Sequence, residues 1–368
     1  MKRNPACPGA ARVWMLASML SAAPLSGMAC AGDAAPPGGQ RSIPDPGHRF
    51  EMYYTRSDDR TLIARATSDD GKLWTKGVPK RAVVVPGDVG AWDADGVTDP
   101  SVIRDADVYR LYYAGESADA TEEIGLATSI DGQQWTKHPA NPVLRVGAAG
   151  SHDSAAVSNP MVLRTDGIYS LWYTAVDAEG TESIGLATSE DGVTWTKLGE
   201  GPVFGVGTAG SFYEREASDP GVLRVGQTNW LFFSAVDAGV SFDPLGRRTL
   251  GRAVSSDGLQ WQAGAAPVLS SSPDPSAFDS LRVTSAEVEL VDGEYYMYYV
   301  GTSDDEDLPQ GSVLPDQFVT RQINVGGIGL AISADGLSWT RFSAPVLTPD
   351  SLQPGATVGD PSVLVLSN

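Results

Sequence analysis

A short segment that carries acidic residues returns five times along the chain at nearly even intervals. Its copies are Val97–Ile103, Val157–Leu163, Ala217–Leu223, Val283–Glu289 and Val358–Leu364. They place at one shared position Asp99, Asn159, Asp219, Ser285 and Asp360. Carboxylates that face each other across a cleft cleave glycosidic bonds, one as proton donor and the other activating water or attacking the sugar. The alternative is structural, because an Asp before Pro can cap a strand by accepting backbone N–H groups.

The fourth copy differs most from the others and singles out Glu287. Aligned without gaps, Glu287 takes the position that the other copies fill with Ser101, Met161, Gly221 and Ser362. This position is near the start of a predicted innermost strand, so the side chain is expected to reach a central cavity. The sequence predicts Glu287 as the catalytic acid, with Asp99 or Asp219 as the partner carboxylate. An ordinary polar strand residue is the alternative.

A second set of residues pairs a ring with an acid four positions before the repeated valine. Its members are Trp92-Asp93, His152-Asp153 and Phe278-Asp279. Aromatic platforms beside carboxylates suit sugar rings, which stack on one face and donate hydrogen bonds from their hydroxyls. We therefore predict as substrate-binding residues Trp92, Asp93, His152, Asp153, Phe212, Phe278, Asp279 and Asp360. A device that caps the loops is the alternative.

The elements around each copy follow a fixed order. An aromatic strand comes next in all but the last copy, then a Gly-containing strand, then Ser-x-Asp-Gly-x-x-Trp. The tryptophans of this motif are Trp74, Trp135, Trp195, Trp261 and Trp339. A period near 60 residues that holds about four short strands is typical of a propeller blade.

The number of periods and the two chain ends predict how the ring closes. Five periods predict an all-β, five-bladed β-propeller of four-stranded antiparallel blades. From Phe50 onward the first period has only three strands before the next repeat begins. The last strand, 358–366, is expected to join this N-terminal blade and to remove its exposed edge.

One face of the predicted ring carries the long loops. They are 237–249 and 303–327, and the links between blades emerge on the same side, at the start of each inner strand. Long loops on a rigid scaffold are where function concentrates. Asp304 to Asp307 in the second loop can supply oxygen ligands to calcium, although a run of acids is more often solvated. No other cofactor or metal is predicted.

The first residues have the layout of a secretory signal. Lys2, Arg3 and Arg12 flank the start of an apolar run, 13–20, and small residues follow. We predict a signal peptide at 1–31, a Gly/Pro/Ala-rich linker at 32–48 and the propeller at 49–368. Cys30 offers a competing lipoprotein site, so the expected location is extracytoplasmic: secreted, periplasmic or lipid-anchored.

The charge limits the classes of partner that the protein can bind, and the cysteine content limits what can stabilise its fold. The formal charge of −20 would become about −23 without the three leader cations, a field that opposes binding to nucleic acid or anionic lipid. Both cysteines, Cys7 and Cys30, lie in the leader, so burial and ring closure must stabilise the mature domain. We expect a monomer without a membrane span that binds a polysaccharide or oligosaccharide.

Taken together, these motifs resemble those of the arabinanase, xylosidase and fructosidase superfamily of glycoside hydrolases. The resemblance rests on the Asp-Pro inner strands, on the Ala-Thr-Ser-x-Asp-Gly-x-x-Trp hairpins and on the Ser285-Ala286-Glu287-Val288 segment, and it covers about 50–366. It implies a five-bladed propeller that hydrolyses glycans.

The arabinanase and xylosidase branch implies a base Asp, a pKa-tuning Asp and an acid Glu on three successive inner strands. With Glu287 as the acid, Asp219 would be the tuning residue and Asn159 the base, which an amide cannot be. Starting from Asp99 as the base puts Asn159 second and leaves Glu214 or Glu216 third. Asp153 on the loop face is a candidate substitute.

Three other functions stay open at this point. The protein can be a carbohydrate- or surface-binding propeller without activity, which Asn159 and the similarity of the blades favour. It can be a phosphorolytic relative in which Arg247, Arg248 or Arg321 binds phosphate. A sialidase-like enzyme ranks last, because its hairpin motif normally has a residue between Asp and Gly and its ring has six blades.

Overall fold

The computed structural model describes residues 47–58, 60–77, 82–236, 248–303, 324–349 and 356–366. Within these ranges the chain forms twenty β-strands and no helix. The same ranges accordingly contain no helix long and apolar enough to cross a membrane.

The strands fall into groups of four that follow the sequence repeats. The first group is β1 (Phe50–Ser57), β2 (Thr61–Ser68) and β3 (Thr75–Lys76), together with β20 (Thr357–Val365). The next is β4 (Gly96–Asp105), β5 (Val108–Glu116), β6 (Glu122–Ser129) and β7 (Thr136–Lys137). Then come β8 (Ala156–Thr165), β9 (Ile168–Val176), β10 (Glu182–Ser189) and β11 (Thr196–Lys197).

The last two groups repeat this order. They are β12 (Glu216–Val225), β13 (Thr228–Val236), β14 (Thr249–Ser255) and β15 (Gln262–Ala263), then β16 (Arg282–Val291), β17 (Glu294–Ser303), β18 (Asn324–Ser333) and β19 (Thr340–Arg341). The groups starting at β8, β12 and β16 are separate four-stranded sheets, each in sequence order. Every neighbouring pair within them is antiparallel.

The first two groups share one eight-stranded sheet. They are joined by a single parallel bridge between Thr61 and Gly96. On the other side of its group, β1 pairs antiparallel with β20, with Phe50 opposite Val365 and Ser57 opposite Thr357. The prediction of an all-β chain with four-stranded antiparallel sheets is confirmed.

The second strand of each group is the core of its sheet. These strands carry paired aromatic residues that are almost fully buried, among them Tyr112, Tyr173, Phe233 and Tyr298. Side chains on both faces are buried because a neighbouring sheet packs on each side.

The repeated tryptophans pack between sheets, as their spacing predicts. Trp135 meets Tyr53 of the preceding group with ring centroids 5.4 Å apart, and Trp74 meets Tyr298 of the last group at 5.7 Å. The other three pairs are Trp195 with Tyr112, Trp261 with Trp172 and Trp339 with Phe232. Each tryptophan therefore contacts the second strand of the group next to its own.

The Asp-Gly turns have a local cause that is the same in each repeat. In the second repeat, Asp131 Oδ1 accepts the N–H groups of Gln133 and Gln134 at 2.9 and 2.8 Å. Gly132 adopts φ 65°, a region that glycine occupies readily, and Trp135 donates its indole N–H to the Gly132 carbonyl at 3.2 Å. These carboxylates are occupied by the backbone, so the Asp-Gly motif is architectural.

Candidate functional site

The repeated acidic position lies at a β-bulge in each of the innermost strands. The residues there have left-handed φ angles of 45–51°, and they are Asp99, Asn159, Asp219, Ser285 and Asp360. The pairing of each innermost strand with its neighbour shifts register at this point. Asn and Asp tolerate this backbone region better than other residues with a side chain. The local conformation thus explains the residue type before any catalytic role is assigned.

A hydroxyl on the neighbouring group of strands secures three of these bulges. The N–H group of Asp99 donates to Thr55 Oγ1 at 3.0 Å, and that of Asp219 donates to Thr174 Oγ1 at 2.9 Å. The N–H group of Ser285 donates to Ser234 Oγ at 3.2 Å. The hydroxyl is always on the residue after the aromatic pair of the second strand.

The bulges surround a small pocket of about 40 Å³, which we call the inner pocket. Asp99, Asp219, Asp360 and Glu287 all line it, together with Asn159. The structure therefore brings the predicted catalytic residues together. Their roles as catalytic residues remain a prediction.

A larger cavity of about 500 Å³, the funnel, adjoins the inner pocket and shares Asp219 and Asp360 with it. Its other ionisable lining residues are Glu122, Glu182, Glu216, Arg248 and Arg282. Hydroxyl groups cover much of the remaining wall, from Ser158, Thr174, Ser218, Thr284 and Thr302. This composition can hydrogen-bond a ligand that carries many hydroxyl groups.

Several carboxyl groups of the funnel and the inner pocket hold their protons to unusually high pH. Burial, followed by repulsion from Glu216, raises the pKa of Glu182 to about 7. Burial raises the pKa of Asp219 to about 6, although Ser234 donates a hydrogen bond to Asp219 Oδ2 at 2.7 Å. Burial and then the charge of Asp360 raise the pKa of Asp99 well above its usual range. The site therefore combines protonated and ionised carboxyl groups near neutral pH.

Glu216 is the funnel carboxylate with an obvious counter-charge. Arg248 Nε donates to Glu216 Oε1 at 2.8 Å, and Ser218 Oγ donates to the same atom at 2.9 Å. Burial alone would lower the pKa of Arg248, but the carboxylate of Glu216 holds it above its ordinary value. Glu216 and Arg248 therefore form a charged pair in the funnel wall.

Glu287 makes a structural contact as well as lining the inner pocket. Its Oε1 accepts the N–H group of Val363 at 3.0 Å, which links β16 to β20. Ser101 accepts the N–H group of Val162, and Ser362 that of Val102, both at 3.0 Å. Burial, followed by the charge of Glu289, raises the pKa of Glu287 well above its usual range. The protonated acid that the sequence predicts is compatible with this environment, but the carboxyl group also replaces a serine that joins neighbouring strands.

The predicted ring and acid pairs lie away from both cavities. Three of their acids are buried beside a tyrosine hydroxyl and a cation: Asp93 with Tyr113 and Lys137, Asp153 with Tyr173 and Lys197, and Asp279 with Tyr299 and Arg341. None of the predicted residues Trp92, Asp93, His152, Asp153, Phe212, Phe278 and Asp279 lines the inner pocket or the funnel. Their part in substrate binding stays a prediction.

The rings of these pairs fill space that small residues leave in the adjacent strands. A Cβ atom on Gly115 would lie 2.4 Å from the ring of Trp92, and one on Gly301 would lie 2.4 Å from that of Phe278. A Cβ atom on Gly251 would lie 2.8 Å from Phe212. Neither ring nitrogen of His152 has a hydrogen-bond partner in the described part of the chain. Burial lowers the pKa of His152, so its ring is neutral at physiological pH.

Sequence reasoning missed Glu122, Glu182 and Arg282. A signal was available, because Glu122, Glu182 and Arg248 occupy the same position, two residues before the Ile-Gly or Leu-Gly of the third strand. Thr61 and Gly326 stand there in the remaining repeats. Three of the five third strands carry a charged residue at this position, and all three of these residues line the funnel.

Some predicted residues lie outside the described ranges. They are Cys30 with the whole signal segment, Arg247, Asp304 to Asp307 and Arg321. In the ranges that are described, no group of three or more His, Cys, Asp or Glu side chains is arranged to hold a metal ion.

Solved structures similar to this chain include propeller proteins that are described as glycoside hydrolases. One is described as a glycosyl hydrolase from Bacteroides ovatus, with 17% identity, coverage of 71% of this chain and 73% of that chain, and a TM-score of 0.53. Another is the Bombyx mori GH32 β-fructofuranosidase, with 14% identity, coverage of 80% and 60%, and a TM-score of 0.56.

A third similar structure carries the description that the GH130 family of mannoside phosphorylases contains glycoside hydrolases that target β-1,2 mannosidic linkages in Candida mannan. It has 17% identity, coverage of 73% of this chain and 79% of that chain, and a TM-score of 0.54. At sequence identities this low, the structural similarity shows that the fold is shared. The predicted resemblance to the propeller glycoside hydrolase superfamily is confirmed at that level.

Sequence comparison adds a relative without an assigned function. An uncharacterized protein of Mycobacterium tuberculosis is 29% identical over 271 residues, which are 69% of this chain and 84% of that protein. No protein-family model matches the chain.

Proposed function

We propose that this protein is a glycoside hydrolase that acts on a glycan held in the funnel. One observation carries the proposal: a hydroxyl-lined cavity of about 500 Å³ contains carboxyl groups whose pKa values are raised by burial toward neutrality. Glycoside hydrolysis needs one carboxyl group that donates a proton and another that activates water or attacks the sugar. The fold shared with glycoside hydrolases supports the same reaction class.

Glu182 is the proposed proton donor of the funnel. Its pKa of about 7 leaves a substantial protonated fraction at neutral pH, whereas Asp219, at about 6, is mostly ionised. Asp219 then activates the water or attacks the sugar. Arg248 is hydrogen-bonded to Glu216, and the charge of Glu216 helps to keep the proton on Glu182. Glu287 is the alternative acid, acting with Asp99 or Asp219 in the inner pocket.

We propose further that the four-stranded groups are five blades of a ring closed by β20. The β1–β20 pairing and the contact of Trp74 with Tyr298 support this closure. Contacts among the innermost strands also support it, because β4, β8, β12, β16 and β20 each touch the next and β20 touches β4. Such a ring would leave the funnel at the end of a central channel.

We also propose that the protein is exported, and the N-terminal leader sequence is the only support for this. Removal at residue 31, or lipidation at Cys30, would put the propeller outside the cytoplasm, where extracellular glycans are found. Mass spectrometry of the mature N-terminus distinguishes these two fates from an unprocessed chain.

The test is sugar release by the chain from His48 onward on arabinan, xylan, fructan and mannan panels, beside Glu182→Gln and Glu287→Gln. Loss of release in Glu182→Gln with retention in Glu287→Gln supports the funnel acid. The reverse result moves the acid to the inner pocket. Calorimetric binding of glycan without release by the wild type, unchanged in both variants, would replace the hydrolase with a binding protein.

Phosphorolysis is a second candidate, favoured by the position of Arg248 in the funnel wall. A guanidinium can bind phosphate, which would take the place of water as the attacking group. Release that requires inorganic phosphate and yields a sugar phosphate would establish it. Release at the same rate in phosphate-free buffer would exclude it.

A further inference from the structure

The charges that line the funnel and the inner pocket are strongly unbalanced. Among the described residues, seven carboxyl groups line the two cavities, and they belong to Asp99, Glu122, Glu182, Glu216, Asp219, Glu287 and Asp360. Two guanidinium groups oppose them, those of Arg248 and Arg282, and Arg248 is paired with Glu216. The two adjoining cavities therefore carry an excess of negative charge when their acids are ionised.

The carboxyl groups act on one another as well as being buried. The charges of Asp360 and Glu122 disfavour ionisation of Asp99, and that of Glu216 disfavours ionisation of Glu182. Asp219 Oδ2 accepts hydrogen bonds from Ser234 and Ser285 at 2.7 and 3.3 Å, but no cation is bonded to it in the described part of the chain. An empty funnel must relieve this repulsion by binding protons.

The funnel wall also contains a polar group without a partner. Thr302 is 8% exposed and lines the cavity, and its hydroxyl has no hydrogen-bond partner within the described ranges. Buried hydroxyl groups normally make hydrogen bonds, so this group is available to a bound ligand. Acids and hydroxyls in one cavity match a ligand that is positively charged and rich in hydroxyl groups.

We propose that the funnel selects a glycan that carries a protonated amine, that is, an amino sugar whose nitrogen is not acylated. This inference rests on the proposed function and names the substrate class of the same site. An ammonium group placed among the carboxylates replaces the protons that they otherwise bind and restores the charge balance. A uronic acid would add a negative charge to a site that already repels it, and a neutral sugar would leave the repulsion in place.

Binding of such a glycan must be linked to release of protons. An ammonium group lowers the pKa of the carboxyl groups nearest to it, so those groups release protons as the ligand enters. Cleavage requires that the amine lie beside carboxyl groups other than the proton donor Glu182. The preference for the amine should therefore be strong at pH 6.5, where much of the amine carries a proton and the carboxyl groups can ionise. It should weaken at pH 5.0, because Asp219, with a pKa of about 6, is then mostly protonated.

The experiment is isothermal titration calorimetry of the full mature chain with three β-1,4-linked tetramers: glucosamine, N-acetylglucosamine and glucuronate. At pH 6.5 we expect the glucosamine tetramer to bind about tenfold or more tightly than its acetylated form, which corresponds to one pKa unit of differential interaction. Titration in buffers of different ionisation enthalpy should show proton release. Equal affinity for the free and acetylated tetramers, or tighter binding of glucuronate, would overturn the proposal.

Two variants locate the effect. Asp219→Asn removes one funnel charge and should reduce the preference for the amine by several-fold. Glu190→Gln, at an exposed position beside the Asp191-Gly192 turn, removes a charge of the same sign elsewhere and should leave the preference unchanged. An equal loss in both variants would mean that overall charge, and not the funnel, attracts the amine.

The outcomes separate this inference from the proposed function. Cleavage of neutral glycans with no preference for amines would leave the hydrolase standing and refute the amino-sugar class. Tight binding of the amino tetramer without cleavage of any glycan would support the charge selection and refute the hydrolase.

Discussion

Glu287 Oε1 accepts the backbone N–H group of Val363 at 3.0 Å, and the two residues belong to adjacent innermost strands, β16 and β20. The serines at the equivalent position, Ser101 and Ser362, make the same bond with their own neighbours. A residue singled out as a catalytic acid therefore also holds two strands together.

This contact predicts a graded effect of substitutions at position 287. Glu287→Gln and Glu287→Ser keep an acceptor oxygen and should unfold close to the wild type. Glu287→Val leaves the buried N–H group of Val363 without a partner, which costs about 1–3 kcal/mol. Urea unfolding followed by tryptophan fluorescence measures the difference. If Glu287→Val is as stable as Glu287→Gln, the strand-linking role is refuted.

Gly221, at the same repeat position, is expected to tolerate no side chain. A Cβ atom there would lie 2.0 Å from the carbonyl oxygen of Ala286, a backbone atom of the neighbouring strand β16. Gly221→Ala should therefore force the strands apart and destabilise the fold by roughly 1–3 kcal/mol. Gly201→Ala is the matched control, because a Cβ atom at Gly201 meets nothing within 4 Å. Equal thermal stability of the two variants would contradict the close approach.

The sequence predicted the elements of the repeat well because their causes are local. An Asp-Gly turn such as Asp131-Gly132 needs only its own residues to form, and the spacing to Trp135 carries the packing signal. The site was harder to predict. The bond from Val363 to Glu287 joins residues 76 positions apart, and the raised pKa of Glu182 depends on burial and on Glu216 of another sheet. No local pattern encodes such relationships.

The ion pair of Asp153 and Lys197 should contribute to stability. The free energy lost on removing it should depend on which partner is substituted. Asp153 is 1% exposed and Lys197 donates to it, while the group that starts at β12 has Tyr213 and Ala263 at these two positions. Lys197→Gln alone leaves a buried carboxylate and should cost about 2–3 kcal/mol. Adding Asp153→Asn should recover part of that loss. A double variant less stable than the single one would argue against the pair.

The same ion pair predicts that the stability of the folded protein decreases at acidic pH. Burial alone would raise the pKa of Asp153, but Lys197 and Ser151 hold it below its usual range. A carboxyl group with a lowered pKa in the folded state stabilises the protein above its unfolded-state pKa, about 3.9, and this stabilisation is lost as the pH falls through the folded-state value. The stability difference between the wild type and Asp153→Asn should therefore shrink below about pH 4. Urea unfolding at pH 7 and pH 3 measures it.

Glu182 should show the opposite dependence, because its pKa is raised in the folded protein to about 7. Its contribution to stability is complete below the unfolded-state value of about 4.3 and is lost as the pH rises through 7, where the buried carboxyl group must ionise. Glu182→Gln cannot ionise, so it should match the wild type at pH 5 and exceed it at pH 8 by on the order of 1–2 kcal/mol. Glu190→Gln, on an exposed turn, is the control and should show no such change. Parallel stability curves for Glu182→Gln and the wild type between pH 5 and pH 8 would mean that Glu182 ionises normally, and the proposed proton donor of the funnel would have to be sought elsewhere.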